Sequence, residues 1–239
     1  MDRRFEGNVI LVAGGTGALG CAVSRAFLNE GATVIVTYRQ EEQFNMLRNS
    51  ILGGSSRLAA YRVDVTNEAD VLGMATSIIT LHQRLDALIN TVGGYAGGAR
   101  LWELETKVLD QMLDLNLRSA YTTSRAVLPT MLKQGRGSIV NVAAKAAVDN
   151  PGGAAAYAAS KAAALAMVNS LAVDVAGTGV RVNTVLPSII DTPENRRTMP
   201  QADFAKWPKT DDIARVILFL CTTDATVIHG AAIPVYGDR

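Results

Sequence analysis

The chain has 239 residues, of which 49% are hydrophobic and 19% charged, so it can bury a large core and is not disordered. A formal net charge of +1 and an aromatic content of 5% give no basis for binding nucleic acid or an anionic membrane surface. The only cysteines, Cys21 and Cys221, lie in unrelated segments without CxxC spacing, which argues against a disulfide framework or a zinc site. The sequence contains no uninterrupted run of about 18 apolar residues, so no membrane span is predicted.

From these numbers we expect one domain over residues 1–239, located in the cytoplasm and without bound metal.

Short apolar runs alternate with helical segments along the chain. The runs predict strands at 8–13, 33–37, 58–65, 86–91, 138–142, 180–186 and 231–236. The helical segments run from the first glycine turn to residue 30, then over 40–52, 67–84, 106–133, 154–176 and 211–221, with a turn at 53–56. This alternation predicts an α/β protein whose parallel sheet is covered by helices on both faces.

A glycine-rich turn joins the first strand to the first helix. Its residues are Gly14, Gly15, Thr16, Gly17, Ala18, Leu19 and Gly20. Glycines let the backbone approach a pyrophosphate, and the following helix N-terminus offers free N–H groups and partial positive charge. The turn therefore predicts a dinucleotide-binding loop.

The end of the second strand indicates which dinucleotide binds. An acidic residue there would accept hydrogen bonds from the adenosine ribose of NAD, but this chain has Thr37-Tyr38-Arg39. Arg39 is suited to a 2′-phosphate, which favours NADP(H), with NAD(H) as the alternative; an ordinary surface arginine is the simpler interpretation of Arg39 itself. Asp64 and Val65, after the third strand, are candidates for the adenine edge.

Tyr157 and Lys161 are the candidate catalytic pair. A spacing of four places both side chains on one face of the predicted helix 154–176. A lysine ammonium beside a phenol favours the phenolate and lowers its pKa, which would make Tyr157 a general acid or base. Such a pair also occurs on many helices by chance, so its meaning depends on the rest of the chain.

Several motifs occur together in the order seen in one enzyme family. They are the turn 14–20, Asp64, residues 90–93, Asn116, the pair Tyr157 and Lys161, and residues 187–192. With these motifs the chain resembles the short-chain dehydrogenases/reductases over nearly its whole length. The resemblance implies a Rossmann-type, doubly wound sheet of about seven parallel strands, a nicotinamide cofactor, a small-molecule substrate and a homo-oligomer, either a dimer or a tetramer.

The resemblance also implies roles for individual residues. Tyr157 would donate or accept the proton, Lys161 would bind the nicotinamide ribose and lower the pKa of Tyr157, and Asn116 would shape a proton relay through water. The remaining cofactor contacts would fall on the loops after the fourth and sixth strands. Asn90 would be a structural asparagine, and Ile189 and Thr192 would hold the carboxamide of the nicotinamide. These cofactor-binding candidates are Asn90, Val92, Gly93, Pro187, Ile189 and Thr192.

The chain departs from the family pattern at several positions. Ala13 stands where threonine is usual, Ala18 replaces a glycine, and Ser188 replaces another. The catalytic serine of the family falls thirteen residues before the tyrosine, where this chain has Ala144, next to Ala143. Neither alanine side chain can donate a hydrogen bond, so the usual polarising group for a substrate carbonyl is absent.

Dihydropteridine reductases are a branch of the family with the same departure. The chain resembles them in the glycine turn 14–20, in 93–98, in 144–149 and in 186–207. Their quinonoid substrate is already activated by conjugation and needs less help from an oxyanion-type donor. Those enzymes, however, prefer NADH and carry an acidic residue at the end of the second strand, where this chain has Tyr38-Arg39. In addition, the segments 116–129 and 230–237 of this chain look more like the general family.

A long proline-broken segment, 188–209, predicts a substrate lid, with Met199, Phe204 and Trp207 as candidate substrate contacts. Tyr95 and Trp102 are candidates for the opposite wall of the pocket. Lys145 follows the missing serine and could reach the pocket, although an exposed loop lysine is the preferred interpretation. His82 and His229 are isolated and are interpreted as non-catalytic. Two other functions stay open: a general carbonyl reductase or alcohol dehydrogenase, and a non-catalytic NADP(H)-binding sensor.

Overall fold

The computed structural model describes residues 3–51 and 56–238. Leu52, at the end of the predicted helix 40–52, and most of the predicted turn at 53–56 lie outside these ranges.

One parallel sheet of seven strands organises the described residues, in the order β3-β2-β1-β4-β5-β6-β7. Every neighbouring pair is parallel. The strands are β1 Val9–Ala13, β2 Thr33–Tyr38, β3 Leu58–Arg62, β4 Ala87–Asn90, β5 Gly137–Val142, β6 Val180–Pro187 and β7 Ala232–Val235. This topology confirms the predicted Rossmann-type fold.

Helices connect the strands and cover both faces of the sheet. They are α1 Ala18–Asn29, α2 Glu41–Ser50, α3 Glu68–His82, α4 Thr106–Leu113, α5 Ser119–Gln134, α6 Ala146–Asp149, α7 Ala155–Asp174, α8 Pro193–Thr198 and α9 Thr210–Leu220. Short 3₁₀ turns lie at Leu101–Glu103, Phe204–Lys206 and Thr223–Ala225.

The central strand β1 is buried on both faces, and its side chains alternate between two cores. Ile10 and Val12 pack with residues of α1 and α9. Leu11 on the opposite face packs with residues of α3, α5 and α7. Burial on both faces explains why β1 is an uninterrupted apolar run rather than an alternating one.

The strand order reverses between β1 and β4, because β1 leads to β2 on one side and pairs with β4 on the other. In open α/β sheets a crevice forms at this point, outside the carboxyl ends of the strands. The glycine turn follows β1 and the loop 91–100 follows β4, so both predicted cofactor segments open onto that crevice.

Four features of the structure differ from the predicted elements. Strand β3 ends at Arg62 rather than at residue 65, because the Asp64 carboxylate accepts hydrogen bonds from the backbone and hydroxyl of Thr66 and turns the chain. The predicted helix 106–133 is divided by a π-helical turn at Asp114–Arg118. Helix α6 was not predicted, and the segment 188–209 is not irregular throughout, since it contains α8 and a 3₁₀ turn.

Helix α7 is the one helix in the described part of the chain that is long and apolar enough to cross a membrane. It packs in the helical layer of the sheet, where Val168 and Ala172 belong to one of the two cores. It also buries Lys161. These are the features of a core helix in a globular protein.

Candidate active site

The glycine turn is held in place by the ends of two neighbouring strands. Its Gly14 N–H donates to Thr37 Oγ1 at 2.8 Å, and Thr91 Oγ1 donates to the Gly14 carbonyl at 3.1 Å. At Gly20 a Cβ would lie 2.1 Å from the Gly14 carbonyl oxygen. The first turn of α1 therefore packs directly on the strand-to-helix turn, and only glycine allows that approach.

The crevice beside this turn fits an anionic dinucleotide. Helix α1 begins after Gly17 with no side-chain cap and no acidic residue in its first turn, so its N-terminal N–H groups face an anion site with no competing carboxylate. The crevice encloses about 230 Å³. Most of its lining residues lie in or beside the predicted cofactor segments, whereas Gln43 and Leu115 come from α2 and the π-helical turn. The lining residues are Gly14, Thr16, Gly17, Thr37, Tyr38, Arg39, Gln43, Val63, Asp64, Val65, Thr66, Thr91, Val92, Gly93 and Leu115.

Two charged side chains lie at the far end of the crevice: the exposed Arg39, and Asp64, whose carboxylate accepts hydrogen bonds from Thr66. Arg39 is exposed on the rim, and the Tyr38 ring stacks on Phe44 of α2 at 5.3 Å. Hydrogen bonds from Thr66, together with the charge of Arg39, hold the pKa of Asp64 below its usual value. Arg39 directly follows β2, and the first carboxylates after it, Glu41 and Glu42, belong to α2, so the positive side chain of Arg39 is the charged group at that strand end.

Asn90 and its neighbours fix the loop after β4. Asn90 Nδ2 donates to Asn141 Oδ1 at 3.1 Å, and Asn90 Oδ1 accepts from the Val92 N–H at 3.3 Å. This agrees with the predicted structural role of Asn90. Its side chain links β4 to β5 and sets the path of Val92 and Gly93 into the crevice.

Tyr157 and Lys161 lie on the inner face of α7, and Lys161 is 6% exposed. The Lys161 Nζ donates to the Val142 carbonyl at the end of β5, at 3.1 Å. A Cβ on Gly93 would lie 2.8 Å from that Nζ, so the loop after β4 passes directly over the lysine. The pair is thus placed at the carboxyl ends of β4 and β5, beside the crevice.

The acid–base properties of the pair differ from the prediction. Burial, and after it the neighbouring Tyr95 phenol, raises the pKa of Tyr157 to about 12. Burial lowers the pKa of Lys161 to about 8. The net shift of the Tyr157 pKa is therefore opposite to the direction expected, because removing the phenol from water dominates. A lowering of this pKa by Lys161 stays a prediction. Near neutral pH Tyr157 is a protonated donor.

Asn116 lies in the π-helical turn, where its side chain is 2% exposed. Its Oδ1 accepts from the Gly94 N–H at 2.9 Å, and its Nδ2 donates to the Gly94 carbonyl at 3.1 Å and to Ser160 Oγ at 2.9 Å. Ser160 in turn donates to the Tyr157 carbonyl at 2.8 Å. Asn116 therefore ties the glycine loop to the catalytic helix; its predicted role in a water relay stays a prediction.

The position of the family serine is buried and apolar. Ala143 and Ala144 follow β5 and are 4% and 7% exposed. The next residue, Lys145, is half-exposed; it forms an ion pair with Asp149 at 2.9 Å and lies over the Tyr236 ring at 5.3 Å. Lys145 is thus engaged by neighbours rather than extended freely from a loop.

The segment after β6 is organised around Thr192. Thr192 Oγ1 accepts from the Asn195 N–H at 3.2 Å and caps α8, and Ser188 Oγ donates to the Tyr236 carbonyl at 2.6 Å. Pro187 is buried at the end of β6, whereas Ile189 is 43% exposed. The predicted carboxamide contacts therefore lie at the carboxyl end of a central strand, and their role stays a prediction.

The predicted lid residues form a partly buried cluster of their own. The rings of Phe204 and Trp207 are 5.0 Å apart, and the Arg196 guanidinium lies 4.8 Å over Phe204. Met199 follows α8 and is half-buried. The segment returns to its start, since Asp191 pairs with Lys209 in an isolated β-bridge. No contact of this cluster with Tyr157 is among those found in the described residues.

The two proposed wall residues are placed differently. The Tyr95 ring meets the Tyr157 ring edge-on, with centroids 5.0 Å apart and planes at 74°. Trp102 is 77% exposed and stacks under Arg100. Tyr95 therefore belongs to the site, and Trp102 is a surface residue.

Three polar residues of the site were not singled out from the sequence. Thr37 holds the glycine turn, Ser160 links Asn116 to Tyr157, and Thr91 binds the carbonyls of Ala13 and Gly14. Each has a partner far away along the chain, namely Gly14 for Thr37 and Thr91 and Asn116 for Ser160, so sequence spacing gave no signal. His229, as predicted, is not in the site: its ring is bonded to the Val182 N–H and the Ala172 carbonyl.

A glycine-cradled crevice at the switch point of a parallel sheet, with a Tyr/Lys pair beside it, defines a dinucleotide-binding oxidoreductase. The family model described as short chain dehydrogenase matches residues 8–203. The chain belongs to this family of NAD(P)-dependent oxidoreductases.

Among curated relatives, the chain is similar to "3-oxoacyl-[acyl-carrier-protein] reductase FabG" of Thermotoga maritima, with 30% identity over 98% of each chain. Among solved structures it is similar to "ElxO with NADP Bound" (TM-score 0.90, 25% identity, 96% of this chain and 97% of that one). It is also similar to "Crystal Structure of NAD+-Bound Xylitol Dehydrogenase" (TM-score 0.91, 26% identity, 98% and 99%). These names do not include a dihydropteridine reductase.

Proposed function

We propose that this protein is an NADPH-preferring reductase of an acceptor already activated for hydride, with a quinonoid dihydropteridine as the first candidate. The observation that carries the proposal is a half-buried Tyr157 that keeps its proton near neutral pH, together with an apolar Ala144 where the family has a hydroxyl. The resemblance of segment 186–207 to dihydropteridine reductases supports the choice of acceptor.

Tyr157 and Lys161 have different roles in the proposed reduction. When bound, the nicotinamide cofactor supplies the hydride. Tyr157, with its pKa raised to about 12, holds a proton near neutral pH that it can donate to the atom that gains negative charge. Lys161, with a pKa of about 8, is still mostly protonated at pH 7 and is placed to bind a ribose hydroxyl beneath the Gly93 loop.

The absence of a serine hydroxyl selects among acceptors. A simple ketone develops a full oxyanion as hydride arrives, and each hydrogen-bond donor at that oxygen is worth about 10²–10³ in rate. A quinonoid pterin delocalises the added charge into its ring and becomes aromatic on reduction. The apolar surface of Ala143 and Ala144 then costs less than it would with a ketone, and Tyr157 supplies the proton.

The test is a turnover assay on the wild-type enzyme. NADPH and NADH oxidation are followed by absorbance, with freshly generated quinonoid dihydropteridine in one arm and a panel of ketones and 3-oxoacyl thioesters in the other. The rate without enzyme is subtracted from each. We expect kcat/KM for the pterin to exceed that for every carbonyl by at least about tenfold. No turnover in any arm would refute the function.

A general carbonyl reductase is the second candidate. It is favoured by the names of the relatives, which include a 3-oxoacyl-[acyl-carrier-protein] reductase and a xylitol dehydrogenase. A carbonyl substrate that outperforms the pterin in the same assay would select this reading over the first.

The cofactor choice rests on the rim of the crevice. Arg39 is the first residue after β2 and lies on this rim, and a guanidinium binds phosphate through two parallel hydrogen bonds. Arg39→Ala should weaken NADPH binding by about tenfold or more, because one charge-assisted pair contributes roughly 1.5–3 kcal/mol. NADH, which lacks the 2′-phosphate, should be affected by less than about twofold. Fluorescence titration with both cofactors measures this.

Arg62→Ala is the matched control, since Arg62 is an exposed arginine at the end of the adjacent strand β3. It should leave both affinities close to those of the wild type. An equal loss for NADPH and NADH in Arg39→Ala would contradict the assignment of Arg39 to the 2′-phosphate.

Three further proposals follow the family resemblance. The segment 188–209 acts as a substrate lid, and the enzyme works as a homodimer or homotetramer in the cytoplasm. The partly buried cluster of Phe204, Trp207 and Arg196 supports the first, because it gives the segment an ordered surface that can move as a unit.

A further inference from the structure

Tyr95 is the aromatic residue that contacts Tyr157 directly. The two rings meet edge-on, with centroids 5.0 Å apart, and the Tyr95 phenol is the second cause, after burial, of the raised pKa of Tyr157. Tyr95 itself is 71% exposed. One side of its ring therefore covers the catalytic tyrosine, and the other is open to an incoming molecule.

The loop that carries Tyr95 is shaped for this contact. Gly94 is clamped by both side-chain atoms of Asn116, and the Gly98 N–H donates to the Gly153 carbonyl just before α7, at 2.9 Å. A Cβ at Gly97 would lie 2.1 Å from the Tyr95 hydroxyl oxygen. The loop is thus anchored on both sides of Tyr95, and glycine at 97 makes room for its hydroxyl.

The same site lacks a side-chain hydroxyl at the end of β5. Ala143 and Ala144, at the end of β5, are buried and carry no donor. Lys161, from α7, donates to Val142 at that strand end, so the alanines adjoin the catalytic helix. A reduction that relies on one phenol alone would lose the second hydrogen bond that usually stabilises the developing charge.

We propose that the Tyr95 hydroxyl supplies the second hydrogen bond to the acceptor, in place of the missing serine. The inference rests on the proposed reductase function and adds a residue to its site. Tyr157 transfers its proton to the acceptor. Tyr95 donates a hydrogen bond without losing its proton, from the loop after β4 rather than from the end of β5.

The test is a double-mutant cycle between Tyr95→Phe and Ala144→Ser, measured as kcat on the best acceptor found for the wild type. Tyr95→Phe keeps the ring and removes only the hydroxyl, so kcat should fall by about 10- to 100-fold. Cofactor affinity should stay within about twofold. Ala144→Ser returns a hydroxyl at the family position, and it should raise kcat more in the Tyr95→Phe background than in the wild type.

A second variant tests the geometry independently. Gly97→Ala should displace the Tyr95 hydroxyl and lower kcat in the same direction as Tyr95→Phe, with little change in thermal stability. Gly152→Ala is its control, because a Cβ there would meet nothing within 4 Å.

Two results would overturn the inference while leaving the reductase function intact: an active Tyr95→Phe enzyme with kcat within about twofold of wild type, or an equal effect of Ala144→Ser in both backgrounds. A wild-type enzyme without turnover on any acceptor would instead refute the reductase function, and this inference with it.

Discussion

Replacing Tyr157 by phenylalanine should lower kcat for reduction by about 10³-fold while leaving cofactor affinity within about twofold of wild type. The change removes one oxygen atom from a phenol that is protonated near neutral pH, since burial and Tyr95 raise its pKa to about 12. A positioned general acid contributes about 10²–10⁴-fold in rate. Ser160, another hydroxyl on α7, is engaged by Asn116 and the Tyr157 carbonyl and cannot replace it. Stopped-flow absorbance at saturating cofactor and acceptor measures the loss.

Tyr121→Phe is the matched control. Tyr121 lies on α5, is 46% exposed and packs under Arg125, so its hydroxyl should be dispensable. If Tyr157→Phe kept more than about a tenth of the wild-type kcat, Tyr157 would not be the proton donor. A parallel loss of cofactor binding would indicate that the ring serves binding instead.

Gly20→Ala should destabilise the fold by about 3 kcal/mol and weaken cofactor binding by at least tenfold. The added Cβ would lie 2.1 Å from the Gly14 carbonyl oxygen and 2.8 Å from the Gly15 Cα. Both are backbone atoms of the turn, so the clash cannot be relieved by a side-chain rotation. Overpacking of this kind costs about 1–3 kcal/mol, occasionally more. Urea unfolding and cofactor titration report the two effects separately.

Gly17→Ala is the control for the loss of stability expected of Gly20→Ala. A Cβ at Gly17 would be 3.5 Å from the nearest atom, the Gly14 carbonyl oxygen, and the φ of Gly17 is −71°, so alanine fits. This variant should unfold within about 1 kcal/mol of wild type. Equal stability of Gly20→Ala and Gly17→Ala would contradict the close packing of α1 on the turn.

Most of the fold could be predicted because it depends on local patterns. Strand β1 is a continuous apolar run that ends in a glycine turn, and β-branched runs alternate with helices to the end of the chain. The π-helical turn at Asp114–Arg118 left no such signal, because one widened turn hardly changes the period of a long helix. Helix α8 did have a signal: Thr192 is a good cap, and Pro193 suits the first helical position.

The site was predictable in its residues but not in its contacts. Spacing places Tyr157 and Lys161 on one face of a helix, yet it cannot show how deeply the helix buries them, and burial reverses the expected direction of the Tyr157 pKa. The bonds of Asn116 to Gly94 and Ser160, and the contact of Tyr95 with Tyr157, join distant segments. Such pairings arise only when the strands bring those segments together.

The burial of Lys161 also makes the stability of the protein depend on pH. Its pKa is about 8 in the folded protein and 10.5 as a free side chain, so between these values the unfolded chain binds more protons. Below pH 8 the burial of the charged ammonium therefore lowers the free energy of unfolding by its full amount, of the order of 3 kcal/mol. The free energy of unfolding increases again as the pH rises toward 10.5. Tyr157 acts in the opposite sense above pH 10, where the folded protein retains a proton that the unfolded chain releases. The contribution of Lys161 to stability is thus least favourable near neutral pH, where its side chain is charged, and improves in moderately alkaline solution.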